Sequence, residues 1–315
     1  MISTPHTSSG GERPTGQQYT IKAGEYAATV TEVGAGLRAL RLDNRELVME
    51  FPEDGSPIGG SGQLLIPWPN RIRDGKYTFR GVERELEITE EARHNAIHGL
   101  TRRARWQPET QTDSAVRLTL RLEPQPGYPF LLELAAEYSL DADDGLTVSV
   151  TARNAGEWEA PYGIGSHAYL KADGGLDGPQ GLAQVPAGRW LMVDERMIPQ
   201  CEVPVGGTPY DFRDRRPLRG VTLDTAYTDI VRNADGRARV MLGQGVDGVT
   251  MWFGEGLEWV QLFSGDPLDA PYRRSALAVE PMSCPPNAFA TGKGVIALEP
   301  GASVTHTWGI VAGAA

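Results

Sequence analysis

Residues 116–122 read VRLTLRL and residues 146–153 read LTVSVTAR, and these two stretches decide the fold. In each of them apolar residues alternate strictly with polar or charged residues, so successive side chains point to opposite faces of an extended strand. One face of such a strand packs on a core, while the other face meets solvent. The two stretches therefore predict half-buried strands of an antiparallel sheet.

Strand-like segments occupy most of the remaining chain. They are separated by turn dipeptides such as Asp74-Gly75 and Asp144-Gly145. No window of about 12 residues shows an apolar period of 3.6 residues, so we expect few helices, all of them short. The sequence predicts an all-β fold, a large antiparallel β-sandwich. Besides the two stretches above, the predicted strands are 19–22, 26–33, 37–42, 46–50, 77–80, 84–89, 131–139, 238–242, 248–253, 258–264, 276–281 and 303–311.

We expect a single domain over residues 19–315, preceded by a disordered N-terminal tail over residues 1–18. The tail is polar, rich in Ser, Thr, Gly and Pro, and lacks the apolar run of a signal peptide. Stretches 171–188 and 204–220 are rich in Gly, Pro and Asp and are predicted to be long loops. Strand candidates continue on both sides of these loops without a change in composition, which favours one domain over two.

The composition argues against several classes of partner and cofactor. A formal net charge of −11 repels polyphosphate backbones, so nucleic acid is not an expected partner. No run of about 18 apolar residues occurs, so we expect no membrane span. With only two cysteines, a reducing cytoplasm is the expected location. Cys201 and Cys284 lie far apart and without CxxC spacing, so neither a zinc site nor a disulfide framework is predicted. The chain also lacks a GxGxxG motif or P-loop, and we expect no cofactor.

Two histidines stand beside glycines in positions that suit ligand binding. His98 lies in Ile97-His98-Gly99, and His167 follows Gly165 and Ser166. Glycine permits close backbone approach to a ligand. A hydrogen-bonded turn histidine or a packed core histidine is the more common explanation of such a sequence, and these residues alone leave both interpretations open.

One carboxylate and one guanidinium are further candidates. Glu280 stands near the end of an apolar strand, directly before a proline, and burial there would raise its pKa and suit a general base. Backbone donors or Arg273 would satisfy the same carboxylate without any catalytic role. Arg71 follows Asn70 in a proline-stiffened loop, where the alternative is a surface ion pair.

Taken together, these segments resemble the aldose 1-epimerase (galactose mutarotase-like) family, in matching order and approximate spacing from about residue 20 to the C-terminus. The resemblance implies an antiparallel β-sandwich that binds a monosaccharide and interconverts its α and β anomers without a cofactor. The segments that carry it are Asn70-Arg71-Ile72, residues 75–81 (GKYTFRG), Ile97-His98-Gly99, residues 165–170 (GSHAYL), Glu280-Pro281-Met282 and residues 286–289 (PNAF), with a weaker match at Gly127-Tyr128-Pro129.

The resemblance implies two catalytic residues. Glu280 is similar to the family's general base, which takes the proton from the anomeric O1 hydroxyl. His167 is similar to the acid that protonates ring oxygen O5. Opening a hemiacetal needs both transfers, and a carboxylate facing an imidazolium supplies them together.

The resemblance also implies substrate-binding residues. Arg71 and His98 are similar to donors that orient the sugar, and Asn70 belongs to the same binding set. The family places an aspartate on the sugar hydroxyls in the later part of the chain. Asp224 is the preferred candidate and Asp229 the second, both expected in a variable loop.

Two alternatives stay open beside a free-aldose mutarotase. A hexose-6-phosphate mutarotase would need extra cations at the cleft, and Arg102, Arg103 and Arg105 are candidates for that role. A non-catalytic carbohydrate-binding or sensor protein of the same fold would bind sugar without turning it over. The sequence leaves the sugar undefined and permits a monomer or a homodimer.

Overall fold

The computed structural model describes residues 13–314, and about half of the chain is in strands. The predicted all-β fold is confirmed. Helices within the described range are one α-helix, Ala288–Thr291, and the 3₁₀ turns Ile58–Gly60 and Glu91–Arg93. Of the tail predicted over residues 1–18, residues 1–12 lie outside the described range, and Gln18 already begins the first strand. No helix among the described residues is long and apolar enough to cross a membrane.

The strands within residues 13–314 are β1 (Gln18–Ala23), β2 (Tyr26–Thr31), β3 (Leu37–Leu42), β4 (Arg45–Glu46), β5 (Leu64–Leu65), β6 (Arg71–Arg73), β7 (Lys76–Phe79), β8 (Val82–Glu85), β9 (Asn95–Ile97), β10 (Gln107–Gln111), β11 (Ala115–Leu122), β12 (Leu132–Asp141), β13 (Gly145–Asn154), β14 (Ala160–Tyr162), β15 (Gly165–Ser166), β16 (Ala168–Lys171), β17 (Leu182–Gln184), β18 (Ala187–Val193), β19 (Pro199–Pro204), β20 (Arg216–Pro217), β21 (Asp224–Ile230), β22 (Ala238–Leu242), β23 (Gly245–Phe253), β24 (Trp259–Phe263), β25 (Ala276–Met282), β26 (Ile296–Leu298) and β27 (Ser303–Ala314).

The long alternating stretches are strands as predicted, while several other strands, among them β10, β18, β19 and β21, were not predicted. VRLTLRL lies in β11 and LTVSVTAR in β13. The strand predictions at 46–50 and 84–89 extend beyond β4 and β8. The loop predictions at 171–188 and 204–220 are wrong in part, because they contain β17, the start of β18, and β20. Elements of two or three residues are too short to show a period-two pattern.

Two large antiparallel sheets share one core. In the described part of the chain, the first has the strand order β10-β11-β12-β13-β27-β23-β22-β17-β20 and the second, eight-stranded sheet has the order β19-β18-β21-β24-β25-β15-β5, with β16 also paired to β25. Val148 and Trp308 from the first sheet, and Leu277 and Val279 from the second, belong to one continuous hydrophobic cluster. The smaller groups are β1-β2-β3-β4, β6-β9, β7-β8 and β14-β26.

Strand β25 is buried on both of its faces. All of its residues are buried, which explains its nearly unbroken apolar sequence, ALAVEPM. Leu277 and Val279 face the main core, whereas Ala278 packs with Tyr169 in a separate cluster. Side chains alternate along a strand, so Glu280 shares the face of Ala278. We call this the second face of the sheet, the face that points away from the nine-stranded sheet.

Gly62 ties the four-stranded sheet to the segment that carries His167. Its N–H donates to the carbonyl of His167 at 2.9 Å, and its own carbonyl accepts from the N–H of Leu37 at 3.0 Å. The φ angle of Gly62 is +71°, and a Cβ built there would lie 1.9 Å from the carbonyl oxygen of Leu37. Any side chain would therefore collide with backbone that cannot move aside.

We expect Gly62→Ala to destabilise the protein far more than Gly207→Ala. Gly207 has a similar φ of +75°, but an added Cβ would meet nothing within 4 Å, so this position isolates the cost of backbone strain. That strain costs about 1–2 kcal/mol, and the added clash should bring Gly62→Ala above about 3 kcal/mol. Urea unfolding of both variants measures the difference, and equal losses would contradict the steric argument.

Candidate active site

A row of side chains crosses the second face of the eight-stranded sheet and ends at Glu280. The strand pairing aligns Ala226 of β21 with Gln261 of β24, and Gln261 with Glu280 of β25. On the other side of β25, the register shared by β15 and β16 brings His167 opposite Glu280. Asp224 lies two residues before Ala226 and therefore faces the same way. The sheet thus assembles residues far apart in sequence.

Glu280 and His167 form a buried pair. Oε1 of Glu280 lies 3.4 Å from Nε2 of His167, and the side chains of His167 and Glu280 are only 6% and 2% exposed. The other oxygen, Oε2, and the other nitrogen, Nδ1, are buried without a hydrogen-bond partner among the described residues. Leaving a buried polar atom unpaired costs about 1–3 kcal/mol, so this arrangement is poorly explained by stability alone.

Burial shifts the pKa values of both members of the pair towards their neutral forms. Burial raises the pKa of Glu280 well above its ordinary value, the nearby Asp224 raises it further, and Arg71 opposes both. Burial lowers the pKa of His167 to about 4. His167 is therefore neutral at pH 7 and burial favours the protonated form of Glu280, whereas the sequence interpretation assumed a carboxylate facing an imidazolium.

Arg71 is a buried cation fixed by two carboxylates. Its Nε donates to Oε2 of Glu90 at 2.9 Å and its Nη2 donates to Oε1 at 3.0 Å, which makes a bidentate pair. Nη2 also lies 3.7 Å from Asp224. Burial alone would raise the pKa of Glu90, but hydrogen bonds from Arg71 and Asn95 lower it overall. The alternative of a surface ion pair for Arg71 does not describe this site.

A hydrogen bond joins His98 and Asn70 beside His167. The N–H of Asn70 donates to Nδ1 of His98 at 3.3 Å, so the proton of the neutral ring lies on Nε2. The rings of His98 and His167 meet edge to face with centroids 5.3 Å apart. Burial lowers the pKa of His98 well below its ordinary value, with His167, Arg102 and Arg71 adding to the effect. The Oδ1 of Asn70 is occupied by the N–H of Arg71 at 2.9 Å.

The structure brings Asp224 to the site but not Asp229. Both residues lie on β21 and not in a variable loop, so that part of the expectation is wrong. Their odd separation places them on opposite faces of the strand. Asp224 accepts a hydrogen bond from Gln261 and faces Arg71. Asp229 is exposed, and its carboxylate lies against Gly188.

The three arginines considered for a phosphate do not converge. Arg102 is half-buried, donates to the carbonyl of Ile97 at 3.3 Å, and lies close enough to lower the pKa of both site histidines. Arg103 is exposed. Arg105 bonds to Glu32 at 3.1 Å.

Sequence reasoning missed Gln261 and Glu90. Gln261 is the one polar residue of WVQLF in β24, which is the same kind of signal that singled out Glu280 in β25. Glu90 lies in the run TEEAR, where no pattern distinguishes it from its neighbour Glu91. Tyr169 stacks on His167 with ring centroids 5.2 Å apart and so supports the ring from its core side.

Neither cysteine takes part in the site. Both are free: Cys201 is exposed and Cys284 buried. Burial raises the pKa of Cys284 to about 12, so this thiol is unreactive at neutral pH. Within residues 13–314 there is no group of three or more His, Cys, Asp or Glu residues that could hold a metal ion.

Comparison with known proteins identifies the family of this chain. A sequence model of the aldose 1-epimerase family matches residues 17–310. The chain belongs to the aldose 1-epimerase family. One relative is the uncharacterised protein YihR of Escherichia coli (strain K12). It is 36% identical to this chain over 287 residues, which cover 91% of this chain and 90% of YihR.

Solved structures of similar proteins share the fold of this protein. The GalM/aldose epimerase homologue from C. elegans superposes with a TM-score of 0.81 at 19% identity, covering 95% of this chain and all of that one. The galactose 1-epimerase from Lactobacillus acidophilus NCFM gives a TM-score of 0.77 at 22% identity, covering 94% and 95% of the two chains. The resemblance found in the sequence and the galactose mutarotase-like fold are therefore confirmed.

We expect His167 to stay neutral down to about pH 4 in the protein without bound sugar. The unfolded chain takes up this proton near the ordinary value of 6.5, so stability should fall as the pH drops from 6.5 towards 4. His306 is a matched control, because burial lowers its pKa to about 4 as well but it lies on β27, away from Glu280. Histidine NMR titration measures both, and an added sugar should shift only His167. Titration of His167 near 6.5 would contradict the assigned burial.

Proposed function

We propose that this protein is a mutarotase that opens and closes the hemiacetal ring of an aldose. The observation that carries the proposal is the buried pair of Glu280 and His167, 3.4 Å apart, with Oε2 and Nδ1 unpartnered within the described residues. Membership of the aldose 1-epimerase family supports the same class of reaction.

The reaction needs two proton transfers and one bond rotation. Glu280 takes the proton from the O1 hydroxyl while the bond between C1 and O5 breaks, and O5 takes a proton from His167. C1 becomes an aldehyde, and rotation about the C1–C2 bond presents its other face. The reverse transfers, from the O5 hydroxyl to His167 and from Glu280 to O1, close the ring as the other anomer. Nothing is consumed, and both residues return to their starting state.

Sugar binding prepares the pair for this chemistry. Burial in the free protein favours the neutral forms of Glu280 and His167, whereas ring opening needs an ionised Glu280 and a protonated His167. A sugar hydroxyl that donates to Glu280 stabilises the ionised carboxylate, as Arg71 already does. The displaced proton has only the 3.4 Å between Oε1 and Nε2 to cross. We infer that the ionic form is populated mainly in the sugar complex.

The remaining residues of the site orient the sugar. Arg71 presents a guanidinium that Glu90 holds rigidly, and Nε2–H of His98 is a neutral donor. Asp224 accepts hydrogen bonds from sugar hydroxyls, while the amide of Gln261 donates to its Oδ1. Fixed donors beside a developing oxyanion stabilise the transition state without reorganising.

Two other functions are less well supported. A protein that only binds sugar gains nothing from a buried, incompletely bonded Glu280–His167 pair. A phosphosugar mutarotase would need converging cations, and only Arg102 of the three candidates lies beside the histidines. Comparing rates on glucose and glucose 6-phosphate tests the phosphosugar alternative, and polarimetry of freshly dissolved anomers tests the binding-protein alternative.

We expect Glu280→Gln and His167→Asn each to lower kcat by about 10²–10⁴-fold, because each removes one proton transfer. KM should change only several-fold. The double variant should lose much less than the product of the two losses, since both residues act in one step. Polarimetry of a single anomer measures the rates, and His306→Asn is the matched control. A Glu280→Gln variant that kept more than about a tenth of wild-type kcat would refute the mechanism.

We expect Glu90→Gln to raise KM several-fold while the pH dependence of kcat stays unchanged. The amide cannot form the charged bidentate pair, so Arg71 gains rotamers and is drawn towards Asp224. Glu91→Gln changes the exposed neighbouring carboxylate and serves as the control. Steady-state polarimetry separates KM from kcat. Identical KM values in the two variants would show that Glu90 does not position Arg71.

A further inference from the structure

The stretch of chain that contains the turn Ile58–Gly60 binds the backbone of His167 on both sides. The N–H of His167 donates to the carbonyl of Gln63 at 3.0 Å. The carbonyl of His167 accepts from the N–H of Gly62 at 2.9 Å. Both polar groups of this backbone unit are therefore bonded to residues 58–63.

The same turn also contacts the imidazole ring of His167. A Cβ built on Gly60 would lie 3.2 Å from Cδ2 of the ring, 3.5 Å from Nε2 and 3.6 Å from Cγ. Cδ2 stands between Nε2 and Cγ, and a point in the ring plane beyond Cδ2 would be clearly closer to Cδ2 than to its two neighbours. The nearly equal distances therefore place Gly60 against a face of the ring, and a side chain at this position would press on that face.

Tyr169 contacts the imidazole as well and is bonded to the same turn. Its ring stacks on that of His167 with centroids 5.2 Å apart and planes inclined by 25°. Its hydroxyl donates to the carbonyl of Gly59 at 2.9 Å. A Cβ built on Gly59 would lie only 2.6 Å from the hydroxyl oxygen, so a glycine suits this contact. One hydrogen bond thus connects two elements that both touch the imidazole.

The hydroxyl of Tyr169 is a hydrogen-bond donor and does not carry protons in the reaction. Burial raises the pKa of Tyr169 well above its ordinary value, and the nearby Glu280 and Asp224 raise it further. The phenol therefore keeps its proton at neutral pH. Any effect of Tyr169 on the reaction has to pass through the position of His167.

The orientation of the imidazole decides whether His167 can exchange a proton. Its Nε2 lies 3.4 Å from Oε1 of Glu280. The torsion that turns the ring about its Cβ–Cγ bond has broad energy minima, so neighbouring groups must hold the ring in its plane. Tyr169 and Gly60 lie against the ring and oppose its rotation. A displacement of about 1 Å at a reacting group can cost about 10²-fold in rate.

We propose that Tyr169 and the turn Ile58–Gly60 are positioning elements that hold the imidazole of His167 in place for proton transfer. Gly60 lies on the ring, Tyr169 stacks on it, and the Tyr169 hydroxyl joins the two. This inference rests on the proposed mutarotase function and adds positioning residues for that reaction. The alternative is a packing role alone, because Tyr169 also belongs to a buried cluster with Met49 and Ala278.

Three variants separate the contacts of the imidazole. Tyr169→Phe keeps the stacked ring and removes the hydrogen bond to Gly59. Tyr169→Leu removes the stacked ring. Gly60→Ala adds a methyl group against the face of the His167 ring.

Two matched controls change similar groups away from His167. Tyr162→Phe also removes a buried hydroxyl, but this hydroxyl has no partner within residues 13–314, and the Tyr162 ring contacts His306. Gly207→Ala also adds a methyl group to a glycine of positive φ, but into open space.

Polarimetry of a freshly dissolved single anomer gives kcat and KM for each variant. We expect Tyr169→Phe to lower kcat several-fold, and Tyr169→Leu and Gly60→Ala to lower it by about 10–10²-fold, because the imidazole is misplaced. KM should stay within about twofold, since the sugar-binding side chains are unchanged. In a His167→Asn background the same changes should lower kcat by less than about twofold, because no imidazole remains to be positioned.

Histidine NMR titration gives a readout that does not depend on turnover. Besides Tyr169, the groups that face the His167 ring include Glu280, His98 and Arg102, and the variants leave these three unchanged. Loss of the stacked ring in Tyr169→Leu should admit water, so the pKa of His167 should rise from about 4 towards 6.5. Tyr169→Phe should keep it near the wild-type value.

Equal kcat losses in the presence and absence of the His167 imidazole would show that Tyr169 acts through packing alone and would overturn the proposal. Unchanged kcat in Tyr169→Leu and Gly60→Ala, with both shown to be folded by urea unfolding, would overturn it too. If Tyr169→Leu does not fold, Tyr169→Phe and Gly60→Ala decide by the same criteria.

The titration separates this proposal from the mutarotase function itself. If the wild-type protein turns over no aldose, the mutarotase function fails and the pKa of His167 decides alone. A pKa that rises in Tyr169→Leu but not in Tyr162→Phe supports the positioning role. A pKa that stays near 4 in folded Tyr169→Leu refutes it.

Discussion

The burial of one carboxylate, Glu280, is the constraint on which the rest of the site depends. Strand β25 is covered on both faces, so a charge on it is separated from water in every direction. Burial therefore favours the protonated form of Glu280 and raises its pKa, and the nearby cation of Arg71 opposes that shift. Burial, Asp224 and Arg71 thus all act on the pKa of this one carboxyl group.

The electrostatic support extends well beyond the row of side chains. Glu90 holds Arg71 and also accepts from Nδ2 of Asn95 at 2.9 Å, while the same amide donates to the carbonyl of Arg196 at 3.1 Å. Arg196 in turn bonds to Asp74 at 2.8 Å. This chain of contacts links the turn between β18 and β19 to the guanidinium. The orientation of Arg71 is thus set by backbone segments far from it in sequence.

Half-buried strands could be predicted from the sequence because alternation records which face meets solvent, as in β11 and β13. Glu280 and His167 were predicted as site residues because family motifs surround them, and Gln261 could have been singled out as a lone polar residue in an apolar strand. Asp224 was expected in a loop because β21 carries polar residues on both of its faces. Glu90 left no signal, since its role exists only through Arg71. The raised pKa of Glu280 was expected from its place in an apolar strand, whereas the lowered pKa of His167 was not, because no local pattern encodes the burial of that ring.

The cross-strand register that aligns Gln261, Glu280 and His167 restricts where insertions and deletions can occur in evolution. Insertion or deletion of one residue within β24 or β25 would turn every later side chain to the opposite face and send the carboxylate into the main core. Insertion or deletion of two residues would keep Glu280 on the same face but would shift it along the strand, out of register with Gln261 and His167. Length changes that preserve the site are therefore confined to the connections outside these strands. Relatives with altered sugar preference should differ in their loops while the spacing within these two strands is retained.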